Sequence, residues 1–196
     1  MSEDPLKQLS ALQEQYRIIH AEIGMLASAW AMLEFKINEC IWILAKINPV
    51  AGGCITAQIY TLNSRIDCLL SLMKLRMIEQ DLINKLNQFR TKVAATAEMR
   101  NRMIHDPIVY NQASKRAGQI EITSKGKSVF RVKELTIEEI KKLHKEIVKR
   151  LDEFRLIYLG ILSVRDALPD IPKPESDPTD IPVYLSMEVE SKRDQG

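Results

Sequence analysis

Apolar residues recur every three or four positions from Leu9 to Leu44: Leu9, Leu12, Tyr16, Ile19, Ile23, Leu26, Trp30, Leu33, Ile37, Cys40 and Leu44. This is a heptad seam, and it predicts one long helix, or two broken near Gly24. A continuous helix over residues 5–47 would run about 60 Å at 1.5 Å per residue, longer than a domain of this size is wide. Part of it must therefore protrude or meet another chain. The second half carries further apolar residues off the seam (Met25, Phe35, Ile41, Trp42, Ile43), which predicts burial on most sides, whereas the first half could swap between protomers.

Asn48-Pro49-Val50-Ala51-Gly52-Gly53 reads as a loop from its Pro and paired Gly. Ile55, Ile59, Leu62, Ile66, Leu69 and Met73 share one face of a second helix. After a break near Glu79-Gln80, a third begins at about Asp81, an N-cap or first-turn acid, with the stripe Leu82, Leu86, Phe89, Val93 and Ala97. Continued by threes and fours, that stripe reaches Arg100 and then Ile104, so an arginine stands where a core residue is expected. Asp106-Pro107 ends the helix, because Pro cannot continue the hydrogen-bond ladder and biases its predecessor away from helical angles. The segments 119–123 and 128–132 alternate with period two around Lys125-Gly126, which predicts a β-hairpin over about 118–133. Thr136-Ile137-Glu138-Glu139 supplies a capping box. It opens a last helix with Ile140, Leu143, Ile147, Leu151, Phe154, Tyr158 and Leu162 facing inward and an end near Leu168. The expected fold class is all-α: a bundle of four helices over residues 1–168, with the hairpin between the third and fourth. Residues 169–196 hold five of the eight prolines and seven acids against three bases, so an acidic disordered tail is expected there.

Composition narrows the picture. With 196 residues, 45% hydrophobic, 28% charged and only 7 Gly, the chain is neither collagen-like nor wholly disordered, and an all-β sandwich is disfavoured for want of turn residues. A net charge of +2 means that a nucleic-acid partner must be met by a local patch. The opening Met1-Ser2-Glu3-Asp4-Pro5 is unlike an export signal, and the longest wholly apolar run, Cys40 to Ala45, falls far short of the ~20 residues a spanning helix needs. A cytoplasmic protein that engages no membrane is expected. Cys40, Cys54 and Cys68, with no Cys-x-x-Cys pair and no neighbouring His, read as buried thiols in a reducing compartment, and no metal or cofactor is implied. Trp30 and Trp42 read as core; His20 and His144 read as packing or surface residues.

No phosphate-cradling glycine loop, nucleophile elbow or paired-His motif is present. What remains is Arg100-Asn101-Arg102-Met103-Ile104-His105, at the end of the third helix. It resembles the Arg-x4-His motif of HEPN domains in its form with Asn after the Arg, and the resemblance extends to four helices with the motif late in the third. It covers residues 5–168. The resemblance implies metal-independent RNA endonuclease activity that leaves 2′,3′-cyclic phosphate. It also implies a homodimer whose two motifs meet in one composite site with Arg100, His105 and Asn101 as catalytic residues, and a bacterial toxin or defence effector held by an antitoxin or regulatory protein. HEPN toxins neutralised by nucleotidyltransferases typically carry Tyr two places after the His. Here that position is Pro107 and the nearest tyrosine is Tyr110, which puts control by tyrosine nucleotidylation in doubt.

The residue types fit this chemistry. Attack of a 2′-hydroxyl on phosphate needs a proton removed, a leaving oxygen protonated and negative charge stabilised; imidazole and guanidinium suit these tasks. Lys85, Arg90, Lys92, Arg100 and Arg102 against Glu98 form one basic segment, and Lys115, Arg116, Lys125, Lys127, Arg131 and Lys133 against Glu121 another. Arg102, Lys92, Lys125 and Lys127 are thus the candidate RNA-binding residues. The rival reading is a non-catalytic helical scaffold for oligomerisation or regulation, in which Arg100 pairs with an acid such as Glu98 of a neighbouring chain and His105 complements a helix end.

Overall fold

A computed structural model describes residues 5–111, 116–123 and 129–169. In chain order these form α1 (Pro5–Ala45), α2 (Pro49–Thr56), α3 (Leu62–Leu75), α4 (Gln80–His105), β1 (Ile108–Asn111), β2 (Arg116–Thr123), β3 (Val129–Glu134) and α5 (Ile137–Val164), closed by a 3₁₀ turn at Arg165–Ala167. The fold is mostly helical with one small sheet. The hairpin tip with Lys125 and Lys127, and the expected tail beyond Pro169, lie outside the described residues.

The seam of α1 is continuous through Gly24, where a Cβ would meet nothing within 4 Å, so the break expected as one option does not occur. Ile19, Leu26, Trp30, Leu33, Ile37, Cys40 and Leu44 are buried, and Ile41 joins them. Met25 and Phe35, expected inside, are about half exposed. The helix from Ser10 to Ala45 is long and apolar enough to cross a membrane by length and composition alone; here its seam is the spine of the core. It ends without a glycine: Lys46 takes φ 55° and Ile47 N–H donates to the Trp42 carbonyl at 3.1 Å, a left-handed closure that Met77 repeats after α3.

The segment read as a loop at 48–53 is instead the start of a helix. Asn48 caps α2 by accepting from Ala51 N–H at 2.9 Å, and Pro49 sits in its first turn, where its missing N–H costs nothing. Gly52 is required where α2 doubles back against α1, whereas Gly53 faces open space. A Cβ on Gly52 would lie 2.4 Å from the Trp42 ring, and the indole N–H of Trp42 donates to Thr56 Oγ1 at 3.2 Å. The second helix therefore divides at residues 57–61, leaving Ile55 and Cys54 exposed, and Thr61 caps α3.

Helices α1, α3 and α5 point the same way, and α4 runs against them. Arg65 near the start of α3 lies 3.6 Å from Glu34, and Lys141 near the start of α5 lies 3.4 Å from Glu22. Arg90 of α4 meets Asp67 of α3 at 2.7 Å, and the Phe89 ring packs tilted against Phe154 of α5 with centroids 5.2 Å apart. One core results, with α1 and α4 on a diagonal and α3 and α5 between them. On α4 the buried set is Ile83, Leu86, Phe89, Val93 and Thr96, so Ile83 and Thr96 take the places expected for Leu82 and Ala97. The Thr136–Glu139 capping box forms as expected. Ile157 and Ile161 carry the inward face of α5 where Tyr158 and Leu162 are only half-buried.

The expected hairpin is two strands of a three-stranded antiparallel sheet in the order β1-β2-β3. β1 pairs Ile108 with Gln119 and Asn111 with Arg116; β2 pairs Gln119 with Lys133 and Glu121 with Arg131. Ala117 and Leu135 enter the core, so the same face carries Gln119, Glu121, Arg131 and Lys133 toward the helices. Phe130 and Val132 consequently point away from the core, 72% and 40% exposed.

Arg76, 2% exposed, knits the end of the core: Nε donates to the Leu44 carbonyl at 2.7 Å and Nη1 to the Pro169 carbonyl at 2.5 Å. Arg76→Ala leaves both carbonyls unpaired and is expected to cost about 2–4 kcal/mol in urea unfolding. An unchanged midpoint would contradict that role.

Candidate active site

Among the described residues, the fourth corner of the helical body is only partly filled. α3 has 14 residues, about 21 Å, against 26 and 28 for α4 and α5. The Arg65–Glu34 and Arg90–Asp67 pairs set its start level with the C-terminal third of α1 and the middle of α4. Asp67 is five residues, about 7.5 Å, inside α3, while Asn101 is eleven residues, about 16 Å, beyond Arg90. Among the described residues, no helix continues the corner past Leu62.

At 100° per residue, Asn101 projects within about 20° of the direction in which Arg90 meets α3, with His105 about 60° to one side and Arg100 about 80° to the other. Thus, among the described residues, the three motif residues border the stretch of that corner that no helix fills. Ala27 and Ala97, each seven residues from a residue that pairs with α3, face the same space with side chains short enough to admit another backbone closely.

Arg100 is half-buried and stacked: its guanidinium carbon lies 5.4 Å from the Trp30 ring centroid, and Nη1 donates to Asn101 Oδ1 at 3.0 Å. Trp30 stands one turn below Glu34, so this pair is the first layer beneath the start of α3. A cation over an indole face is favourable, and more so when shielded from water. Two donors in this layer, Arg100 Nε and Trp30 Nε1, are buried without an acceptor. His105 is the last residue of α4 and is exposed. Within one chain, Arg100 and His105 lie about 140° and 7.5 Å apart along the helix, and no hydrogen bond joins them. The arrangement can present a pre-oriented guanidinium and an accessible imidazole to one open corner; it does not assemble them on one atom.

The end of α4 is fixed from behind by the sheet. The Arg102 carbonyl accepts both Asp106 N–H at 2.9 Å and Gln119 Nε2 at 2.8 Å. Glu121 receives Arg131 Nε at 2.7 Å and lies 3.8 Å from Arg102 Nη1.

Two of the candidate RNA-binding residues fall elsewhere, and Lys125 and Lys127 lie outside the described residues. Lys92 and Arg102 line a cleft of about 560 Å³ between α4, the sheet and α5, on the side of α4 away from Asn101. Its walls also carry Lys133 and Lys142, but Glu121, Glu134, Glu139 and Glu146 balance them, so the cleft is no plain phosphate track. Sequence reasoning overlooked the row Lys141, Lys142, Lys145 and Lys149 on the outer face of α5, which edges a groove with Glu138 and Glu146; reading the helix for charge as well as for its apolar stripe would have found it. Trp30 is core, as expected, and also carries the Arg100 guanidinium on its ring, a contact the sequence did not signal. Among the described residues, no group of three or more His, Cys, Asp or Glu is placed to hold a metal ion. Comparison with protein-family models, curated proteins and solved structures finds no match to the chain.

The hydrogen bond from Arg131, aided by the charges of Arg131, Arg102 and Lys133, holds the Glu121 carboxyl below its ordinary 4.5 against the opposing effect of burial. A lowered folded-state value means that the stabilisation is present above the unfolded value and is lost as pH falls through the folded one. Glu121→Gln should therefore destabilise by about 1 kcal/mol near pH 7, and the gap from wild type in thermal melts should close as pH falls through the lowered folded-state value. A gap that persists in acid would show that the ion pair is not its source.

Proposed function

We propose that the chain is a metal-independent RNA endonuclease of the HEPN type, acting as a homodimer in the cytoplasm. The observation that carries this reading is the Trp30–Arg100 layer at the unfilled corner: a stacked guanidinium with a buried, unpartnered N–H, flanked by Asn101 and His105. A buried donor without an acceptor is costly, and a phosphate oxygen or a second protomer's carbonyl would satisfy it. Placing two such corners face to face brings the Arg100 of one protomer toward the His105 of the other. The start of α3 only at Leu62 and the short Ala27 and Ala97 side chains favour that approach. In the shared cleft, imidazole takes the 2′-hydroxyl proton or protonates the leaving 5′-oxygen, and the guanidinium fork holds the charge that builds on the phosphoryl oxygens. Asn101, bonded to Arg100, orients the fork. Regulation by an antitoxin or another protein, and a role as toxin or defence effector, belong to the same proposal.

The stack on Trp30 and the bond to Asn101 also favour the second reading, a non-catalytic scaffold, because together they give the guanidinium structural partners without any substrate.

Purified chain should cleave RNA in excess EDTA and leave 2′,3′-cyclic phosphate ends. His105→Ala should lower the rate by about 100-fold or more, with helicity and a mass of twice 22.5 kDa retained. Cleavage that requires a divalent ion, or a chain that sediments as a monomer, would overturn the proposal; unaltered cleavage in His105→Ala would remove His105 from the mechanism.

A further inference from the structure

We propose that the cleft between α4, the sheet and α5 binds a small amphiphilic anion, a carboxylate or phosphate head on an unbranched apolar tail. At about 560 Å³ the cleft has the size of a small-molecule site. α4 lines it with one stripe, because Lys92, Thr96, Met99 and Met103 follow one another by threes and fours and share a face. Along that stripe a cation and a hydroxyl come first, and two thioether side chains follow. Leu135 and Leu143, 4% and 6% exposed, carry the apolar floor across to the sheet and α5.

The hydroxyl marks the place of the head group. Thr96 is 2% exposed and lines the cleft, yet among the described residues its Oγ1 has no hydrogen-bond partner. A helical threonine can satisfy itself on the carbonyl four residues back, as Thr91 does on Asn87 at 3.3 Å. Thr96 does not, so its hydroxyl faces the cleft unspent. Lys92, one turn away on the same stripe, is exposed and is paired with no acid among the described residues. An anionic oxygen would accept from both, and a charge-assisted hydrogen bond is the stronger kind.

The acids of the cleft already have partners. Arg131 holds Glu121 at 2.7 Å, Arg116 holds Glu134 at 2.6 Å, Lys133 holds Glu139 at 2.9 Å, and Arg150 holds Glu146. Arg131, Arg116 and Arg150 stand outside the lining, so they add positive charge that the lining alone does not show. Lys92 and Lys142 are left over, and position separates them. Leu82 lies beside Gly160 and Phe89 beside Phe154, which sets Lys142 level with Asn101, about nine residues or about 13 Å along α4 from Lys92. Thr96 belongs to the Lys92 end, so the head group sits there. The tail then runs over Met99 and Met103, whose flexible thioethers adapt to an alkyl chain. Because this cleft lies on the side of α4 away from Asn101, the binding does not depend on whether the chain cleaves RNA.

Calorimetric titration of the full chain with octanoate and with octyl phosphate tests the site. At least one should bind saturably at one site per chain, and the tighter of the two identifies the head group. Octanol and inorganic phosphate, each lacking half of that chemistry, should bind at least about tenfold more weakly. Lys92→Ala and Thr96→Val should each weaken the better ligand by about tenfold, whereas Lys142→Ala, at the tail end, should change its affinity by less than about threefold. Thr96→Val keeps the shape of the side chain and should melt no lower than wild type, which makes it the folding control. No saturable binding of either amphiphile would overturn the proposal, as would unchanged affinity in both Lys92→Ala and Thr96→Val, or a larger loss in Lys142→Ala than in Lys92→Ala. A lower midpoint for Thr96→Val would show that the hydroxyl is spent within the fold and would overturn its assignment to a ligand.

Discussion

A 14-residue helix cannot cover partners of 26, 28 and 41 residues, and that mismatch governs the molecule. Over its length, α3 closes a complete ring with α1, α4 and α5, and the fully buried Ile66, Leu69 and Met73 lie there. Past its start the described helices of the ring number three, and the residues that would have faced a fourth meet no described helix. Arg100, Asn101 and His105 border that stretch, and the Trp30–Arg100 stack forms its floor.

The energetics of the two ends differ accordingly. At the closed end, a buried arginine is satisfied: Arg76 spends its donors on the carbonyls that finish α1 and α5, and leaving either carbonyl bare would cost about as much as a lost buried hydrogen bond. At the open end, a half-buried arginine keeps a donor in reserve, and the aromatic face beneath it stabilises the charge without consuming an N–H. The sheet stiffens this end from outside. Gln119 and Glu121 fasten the last turn of α4, so the side chains at 100–105 are carried on a braced helix end.

The helical skeleton was legible because its signals are redundant: an apolar seam repeated from Leu9 to Leu44, a proline stop at Pro107 and a capping box at Thr136–Glu139 act locally and agree. What was illegible depended on tertiary partners. Pro49, Gly52 and Gly53 read as loop, yet the Asn48 cap and the Trp42 ring turn them into a helix that needs the missing Cβ of Gly52. β1 has only four residues and no alternation, and its pairing with β2 comes from outside its own sequence. Phe130 and Val132 alternate as a strand should, but nothing local tells which face the core will claim, and Ala117 and Leu135 claim the other. The anomaly at Arg100 was visible as a broken stripe. Its answer, Trp30 on a diagonal helix and a corner without a fourth member, required knowing how far α3 extends.

Complementation between inactive subunits tests the composite site most directly. Arg100→Ala and His105→Ala chains are mixed, native mass spectrometry verifies that heterodimers form, and RNA cleavage is compared with that of each variant alone. The account predicts cleavage well above either homodimer, because the heterodimer keeps one Arg100 and one His105 on opposite chains. Heterodimers that cleave no better than the separate variants, when the wild-type chain is active, would contradict a site shared across the interface.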